Sequence, residues 1–162
     1  MITVTWEERT SDESPASDLL DAFCKEIASM YEGFSFDVGP SATKADFTRP
    51  KGCYIVGFVG IDGETEAVAG GGVKLLSNDT AEIKRMYVVG AHRGKGVGRQ
   101  LLESLEDAAK TLGASKVRLD TGPQQVKALR IYKASGYAQI PDYNGNPFAS
   151  HWFQKDLSSV SN

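Results

Sequence analysis

Apolar positions recur at two different spacings along the chain, and each spacing predicts a different kind of element. Leu19, Leu20, Phe23, Ile27 and Met30 fall at helical intervals, with Ser14 and Pro15 ahead of them as N-cap and first-turn proline and Gly33 behind as a stop. Cys53 to Val59 is instead rich in aromatic and β-branched residues and predicts a strand. Asp62-Gly63 is a tight-turn signal, so Ala67 to Leu76 should return as the second arm of a hairpin. Gly70, Gly71 and Gly72 interrupt that arm, which points to a bulge or to a group approaching the backbone closely. After the turn Ser77-Asn78-Asp79, Thr80 to Val89 predicts a third strand. If its two-residue period is unbroken, Glu82, Lys84, Met86 and Val88 share one face.

Beyond Val89 the helical spacing returns. Val97, Leu101, Leu102, Leu105, Ala108, Ala109 and Leu112 form the stripe of a long amphipathic helix ended by Gly113. Val117 and Leu119 mark a short strand, and Pro123 opens a helix bearing Val126, Leu129 and Tyr132 that Gly136 closes. Tyr137 to Ile140 and Trp152 to Leu157 are the last strands, with a loop from Pro141 to Ser150 between them. Phe34 to Gly52 reads as a loop or a broken helix. Hairpins first and strand–helix alternation later predict an α/β chain with an α+β-type mixed sheet, antiparallel at the start and crossing over through the long helix. No repeat or linker divides the chain, so residues 1–157 are expected to form a single domain followed by a polar tail, 158–162.

Composition narrows the class. With 162 residues, 41% of them hydrophobic, the chain can bury a core without staples and does not have the makeup of a disordered segment. No apolar run approaches the roughly 20 residues that span a bilayer, and Met1 to Arg9 lacks the apolar stretch of a secretory signal. Cys24 and Cys53 make no disulfide framework or C-x-x-C site and read as small buried hydrophobes in a reducing compartment. A cytoplasmic location without a membrane partner is the expectation.

Charge is distributed unevenly. The formal net charge is −3, yet Lys84 to Gln100 carries Lys84, Arg85, Arg93, Lys95 and Arg99 with no acid, leaving −8 on the remainder. A cationic island in an acidic chain suits one localised anion better than a nucleic-acid footprint. Inside the island, Arg93-Gly94-Lys95-Gly96-Val97-Gly98-Arg99 lies between a strand and a helix. Glycines let successive backbone N–H groups point into one space, and the helix adds its own unpaired N–H groups and dipole. Such a turn accommodates a phosphate. The Ser or Thr that follows Gly-Lys in nucleotide P-loops is missing, and the spacing differs from a dinucleotide fingerprint.

Two motifs together carry a resemblance. Arg93-x-x-Gly96-x-Gly98, preceded by Ala81 to Val88 and followed by Leu101-Leu102, resembles the pyrophosphate-binding signature of the GNAT superfamily of N-acetyltransferases. Ala128-Leu129-Arg130-Ile131-Tyr132-Lys133, then Gly136-Tyr137, is similar to that family's second hallmark. The resemblance implies a GNAT-like acyl-CoA N-acyltransferase fold with acetyl-CoA as co-substrate and no metal. It implies that the backbone at Met86 and Val88 holds the pantetheine arm, and that the N–H groups of Arg93, Gly94, Lys95, Gly96, Val97, Gly98 and Arg99 hold the pyrophosphate. Gln125 stands where many members carry a cofactor-touching asparagine. Tyr132 corresponds to the family's general acid toward the CoA sulfur, and Glu82 to a catalytic glutamate of some members.

Acetyl transfer to an amine needs a route for the amine proton, a donor for the thioester carbonyl oxygen and a proton for the departing thiolate. Glu82 is the expected general base, directly or through water; its alternative is a carboxylate paired with Lys84 or a cross-strand cation. Tyr132 is the expected acid, and its alternative is a packing tyrosine. The N–H of Val88 is the expected carbonyl donor. Tyr31, Phe34, Phe36, Tyr143 and Phe148 are expected to line an acceptor pocket, to pack in the core or to form a lid, while His92 and His151 are expected to be exposed or packed and to form no metal set. The leading expectation is transfer to the primary amine of a small molecule. Transfer to a protein N-terminus or lysine, and a non-catalytic acyl-CoA-binding module, stand beside it. An exposed C-terminal strand would permit a homodimer.

Overall fold

The computed structural model describes residues 2–34 and 43–157. Seven strands form one sheet in the order β1-β2-β3-β4-β5-β7-β6: β1 (Thr5–Glu8), β2 (Gly52–Ile61), β3 (Glu64–Leu75), β4 (Thr80–Val88), β5 (Lys116–Thr121), β6 (Ala138–Ile140) and β7 (His151–Asp156). Neighbours run antiparallel except β4 and β5, which the crossover through α2 (Val97–Thr111) makes parallel. α2 and α3 (Val126–Ala134) pack on one face, and α1 (Ala16–Met30) packs on the other. Among the described residues no helix is long and apolar enough to cross a membrane.

The periodicities map onto these elements closely, with differences at the ends. Leu101, Leu102 and Leu105 of α2 are fully buried against β-sheet residues such as Val73 and Val117. At about 1.5–3 kcal/mol per buried large aliphatic, that stripe is a main attachment of α2 to the sheet. α1 begins one residue after Pro15, because the Ser14 hydroxyl donates to the Asp18 carboxylate at 2.5 Å instead of capping a backbone N–H. The segment before β2 contains a 3₁₀ turn, Lys44–Phe47, which holds Phe47 against the sheet. The three glycines of β3 are sites of close approach. A Cβ on Gly72 would strike the Phe47 ring, one on Gly70 the Tyr54 hydroxyl, and one on Gly71 would lie 2.7 Å from Leu105 Cδ1.

The unbroken period expected of β4 is not present. Arg85 adopts φ +59°, and the β3–β4 register slips between Gly70 and Gly72, so β4 carries an extra residue. Lys84 bonds to Asp120 and Arg85 lies over the Phe47 ring, while Met86 packs into the core beneath α2 and α3. Glu82 and Lys84 therefore leave the face that Met86 and Val88 occupy. The bulge sends the two halves of the strand to different tasks.

Candidate active site

β4 and β5 are paired only from Thr80 to Glu82. Beyond Glu82 the two parallel strands part, and a cavity of about 550 Å³ opens along the freed edge of β4. It is lined by β4 from Ile83 to Val88, by α1, by the start of α2 and by the N-terminal part of α3. On β4 the amide of Val89 turns toward β3, donating to Val68 O at 2.8 Å. Alternation along the strand then turns the N–H groups of Met86 and Val88 toward the gap. These are the two residues at which the resemblance implied a cofactor-holding edge, and both line the cavity.

At one end of the cavity lies the glycine turn. Gly94 and Gly96 have φ +77° and +82°, and Gly96 is the N-cap of α2. The amides of Val97, Gly98 and Arg99 precede the first intrahelical acceptor relation, made by Gln100 N–H to Gly96 O at 3.2 Å. Gly98 fits because a Cβ there would sit 3.0 Å from Ile131 Cδ1 of α3, so the two helices meet closely. The cations divide. Arg93 donates through Nε to Val88 O at 2.7 Å, pairs with Glu26 at 2.8 Å and lies over the Tyr87 ring. Its guanidinium ties the turn to α1 and β4, while Lys95 and Arg99 are exposed. Lys127 of α3 also lines the cavity, a cation that no motif had marked.

In the middle stands Tyr132. It is buried on the cavity wall, its ring held by Tyr137 at 5.9 Å and Phe153 at 6.0 Å, and its hydroxyl directed to Met86 Sδ at 3.6 Å. Behind it, Glu106 accepts from the Tyr137 hydroxyl at 2.8 Å and pairs with Lys155 at 3.1 Å, a buried set that fixes the aromatic support. Burial, and then the nearby Asp120 charge, push the Tyr132 hydroxyl well above the ordinary tyrosine range. The hydroxyl therefore stays protonated at physiological pH.

Glu82 sits elsewhere. Only 2% exposed, it is not part of the cavity wall. It accepts from Tyr143 at 2.5 Å and Asn144 at 3.3 Å, and pairs with Lys84 at 3.7 Å and with its cross-strand partner Lys74 at 3.9 Å. Among the described residues two carboxylates line the wall, Glu26 of α1 and Asp120 at the carboxyl end of β5. Its Oδ2 accepts from Lys84 at 3.3 Å, Asn144 at 2.6 Å and Asn146 at 3.3 Å. Sequence reasoning overlooked Asp120. Its position before Thr121-Gly122, where a strand next to the crossover ends, was the available signal, because ligands gather at such carboxyl ends.

The remaining expectations divide as well. Tyr31, Phe34 and Phe148 line the far end of the cavity, whereas Tyr143 points to Glu82 and Phe36 lies outside the described residues, as does the tail 158–162. Gln125 lines the cavity, but its side-chain oxygen accepts from Gly122 N–H at 2.8 Å, closing its own loop. His92 is buried, 8% exposed, with Nε2 3.9 Å from Glu66. His151 is half-buried and stacks on Phe153. Cys53 is buried and Cys24 half-buried, and burial pushes both thiols up, Cys53 to about 11, which makes them poor nucleophiles.

The arrangement has known counterparts. Residues 20–137 match the model of the acetyltransferase (GNAT) family. An IAA acetyltransferase of Azospirillum brasilense is 42% identical over 57 residues, which are 35% of this chain and 37% of that protein. The chain spans 31–57% of the length of the curated relatives it matches. A GNAT-family acetyltransferase of Staphylococcus aureus Mu50 superposes with a TM-score of 0.71 at 15% identity, covering 96% of this chain and 99% of that one. A GNAT-family acetyltransferase of Elizabethkingia anophelis solved with acetyl-CoA bound gives 0.63 at 18%, covering 95% and 98%. With the family model spanning most of its length, the chain belongs to the GNAT acetyltransferase family.

Proposed function

We propose that this protein transfers an acetyl group from acetyl-CoA to the primary amine of a small molecule. The observation that carries the reading is a single cavity joining the glycine turn, the freed edge of β4 and the Tyr132 hydroxyl. The residues fit the co-substrate. The amides from Arg93 to Arg99 suit a pyrophosphate, with Lys95, Arg99 and Lys127 adding positive charge around it. The Met86 and Val88 amides suit the amide-bearing arm, which lies along a strand edge as an added strand would. Bound there, acetyl-CoA supplies an activated acetyl thioester.

The chain's own groups then have distinct tasks. Val88 N–H donates toward the thioester carbonyl oxygen, where negative charge builds as the amine nitrogen bonds to the carbonyl carbon. Asp120 holds the ammonium and takes one of its protons, which frees the nitrogen lone pair for attack; the second proton, far more acidic once the C–N bond has formed, passes to solvent water. Tyr132 gives its hydroxyl proton to the sulfur as the C–S bond breaks, so the thiol leaves neutral. Glu82, one layer behind, holds Lys84, Asn144 and Tyr143 in place and so positions Asp120. The aromatic end favours a small amine over a protein chain, and Gln124 fixes its wall by donating to Met30 O at 2.7 Å and to the Tyr31 hydroxyl at 3.2 Å.

Thiol release from acetyl-CoA in the presence of a primary-amine panel tests this function. Tyr132→Phe should lower kcat by about 10²–10⁴-fold, the usual weight of a positioned acid, while leaving CoA affinity within a few-fold. Unchanged turnover would remove Tyr132 from the chemistry.

A further inference from the structure

The acceptor end of the cavity has its own composition. Phe34 and Phe148 meet edge to face at 4.7 Å, and Tyr31 tilts against both at 6.4 and 6.2 Å. All three are half-buried and line the cavity. The Tyr31 hydroxyl oxygen at this end accepts the Gln124 N–H. What the chamber offers a ligand is ring faces and edges.

Next to it lies one carboxylate. The Asp120 side chain is 11% exposed, and the three donors named above all converge on Oδ2. Oδ1 takes no hydrogen bond among the described residues, and it belongs to a wall residue of the cavity. The other carboxylate on that wall, Glu26, is paired with Arg93 at 2.8 Å. One acceptor atom is therefore available for a cation, and among the described residues the cavity lining brings no further carboxylate to the ring end.

Asn146 sets the distance between the two. Its Nδ2 donates to Asp120, and its Oδ1 accepts the Phe148 N–H at 3.0 Å. Asn146, which bonds the Asp120 carboxylate, and Phe148, which supplies a ring, are two residues apart, so their Cα atoms lie within about 7 Å. Carboxylate and rings thus line one cavity as neighbours, which suits an ammonium and a ring joined by a short arm.

Resting on the acetyl-transfer reading above, we propose that the acceptor is a primary amine with an apolar ring on a short arm, its ammonium on Asp120 Oδ1 and its ring among Tyr31, Phe34 and Phe148. An ammonium there meets the carboxylate oxygen that the Lys84 ion pair leaves without a hydrogen bond, and the ring gains burial and edge-to-face contact. A polyamine would leave a second charge in the apolar chamber, and a short aliphatic amine would leave it empty.

Calorimetry on the full chain, with and without saturating CoA, separates these classes using phenethylamine, butylamine and spermidine as probes. Phenethylamine should bind about tenfold or more tightly than butylamine, the weight of burying the additional ring surface. Phe148→Ala should remove most of that preference, and Asp120→Asn should weaken every amine while keeping it. Phe34→Leu, which retains apolar volume, should reduce the preference in part and serves if the alanine variant does not fold. Equal binding of the three amines, spermidine outranking phenethylamine, or a preference untouched by either ring substitution would overturn the proposal. CoA is titrated separately, so a failure of CoA uptake counts against acetyl transfer, and the amine ranking still decides the acceptor class.

Discussion

The two ends of the cavity are built from different materials. The cofactor end is backbone: amides bared by Gly94, Gly96 and the first turn of α2, and the strand edge left when β4 parts from β5. The acceptor end is side chains from distant parts of the chain, with Tyr31 and Phe34 following α1, Asp120 ending β5, and Asn146 and Phe148 in the loop before β7. A site made of backbone tolerates change in side-chain identity and keeps one ligand. A site made of scattered side chains can be retuned one residue at a time. Tyr132 stands at the seam, buried on the same cavity wall as Asp120, and in the proposed reaction it serves the sulfur.

If that division holds, the largest effect away from Tyr132 belongs to the acceptor end. Asp120→Asn keeps the shape of the carboxylate but removes its charge and its capacity to take the amine proton. A charge-assisted hydrogen bond is worth about 1.5–3 kcal/mol, so kcat/KM for the amine should fall by about 10–100-fold. The KM for acetyl-CoA should stay within a few-fold. Steady-state kinetics with each substrate varied separately checks the split, and an equal loss for both substrates would erase the boundary between the two ends.

Glu82 sharpens the same boundary from behind. As a positioning residue it should act on stability and on the amine more than on the chemical step. Glu82→Gln leaves Lys74 without its cross-strand partner and weakens the Tyr143 contact. A loss of about 1–3 kcal/mol in denaturant unfolding is expected, the weight of leaving a buried polar partner unsatisfied. Single-turnover acetyl transfer at saturating amine should retain most of its rate. A fall in that rate matching Tyr132→Phe would return the role of base to Glu82.

What could be read from the residues follows the same division. The stripe Leu101, Leu102, Leu105, the hairpin signal Asp62-Gly63 and the glycine turn at Gly94 and Gly96 are local, and each dictates its element through neighbours a few positions away. The β4 bulge was not legible, because Arg85 adopts a positive φ through pairing with β3 and not through any turn chemistry of its own. That bulge alone moved Glu82 off the face of Met86. The buried state of His92 and the link from Asn146 to Asp120 also depend on contacts between residues far apart in sequence, 26 apart in the latter case. The aromatic residues of the acceptor end could be suspected individually, but not which of Tyr31, Phe34, Tyr143 and Phe148 would meet.

At the cofactor end, side-chain changes should matter less than their charge suggests. Lys95 is exposed, and Arg99 is exposed with an i,i+4 contact to Glu103 at 3.7 Å. Exposed ionic interactions contribute about 0–1 kcal/mol each, so Lys95→Ala or Arg99→Ala should weaken CoA by no more than about fivefold at 0.15 M salt. Gly98→Val should do more, because its side chain meets Ile131 and displaces the first turn of α2 against α3. CoA titrations of the three variants rank backbone against charge, and a larger effect from Lys95 than from Gly98 would reverse the assignment.

The smallest expected change is one of rate with alkaline pH, and it separates catalysis from folding. Burial raises the Tyr132 hydroxyl above an ordinary tyrosine, and Tyr54, Tyr137 and Tyr143 are raised for the same leading reason. The neutral form of Tyr132 is the proton donor, so a raised value extends the donor state upward, and kcat should not fall as pH passes the ordinary tyrosine value of about 10. Stability behaves oppositely. Above that value the unfolded chain ionises these tyrosines while the folded one does not, so stability present below about pH 10 is progressively lost as pH rises. Thermal unfolding from pH 8 to 11 should therefore show a falling Tm while the initial rate at saturating substrates stays level until unfolding intervenes. Tyr132→Phe should lessen the alkaline loss of Tm, since one ionisable group is removed from the unfolded state. A kcat that declines near pH 10 with Tm unchanged would mean that Tyr132 ionises in the folded protein, and that the proton for the departing thiol comes from elsewhere.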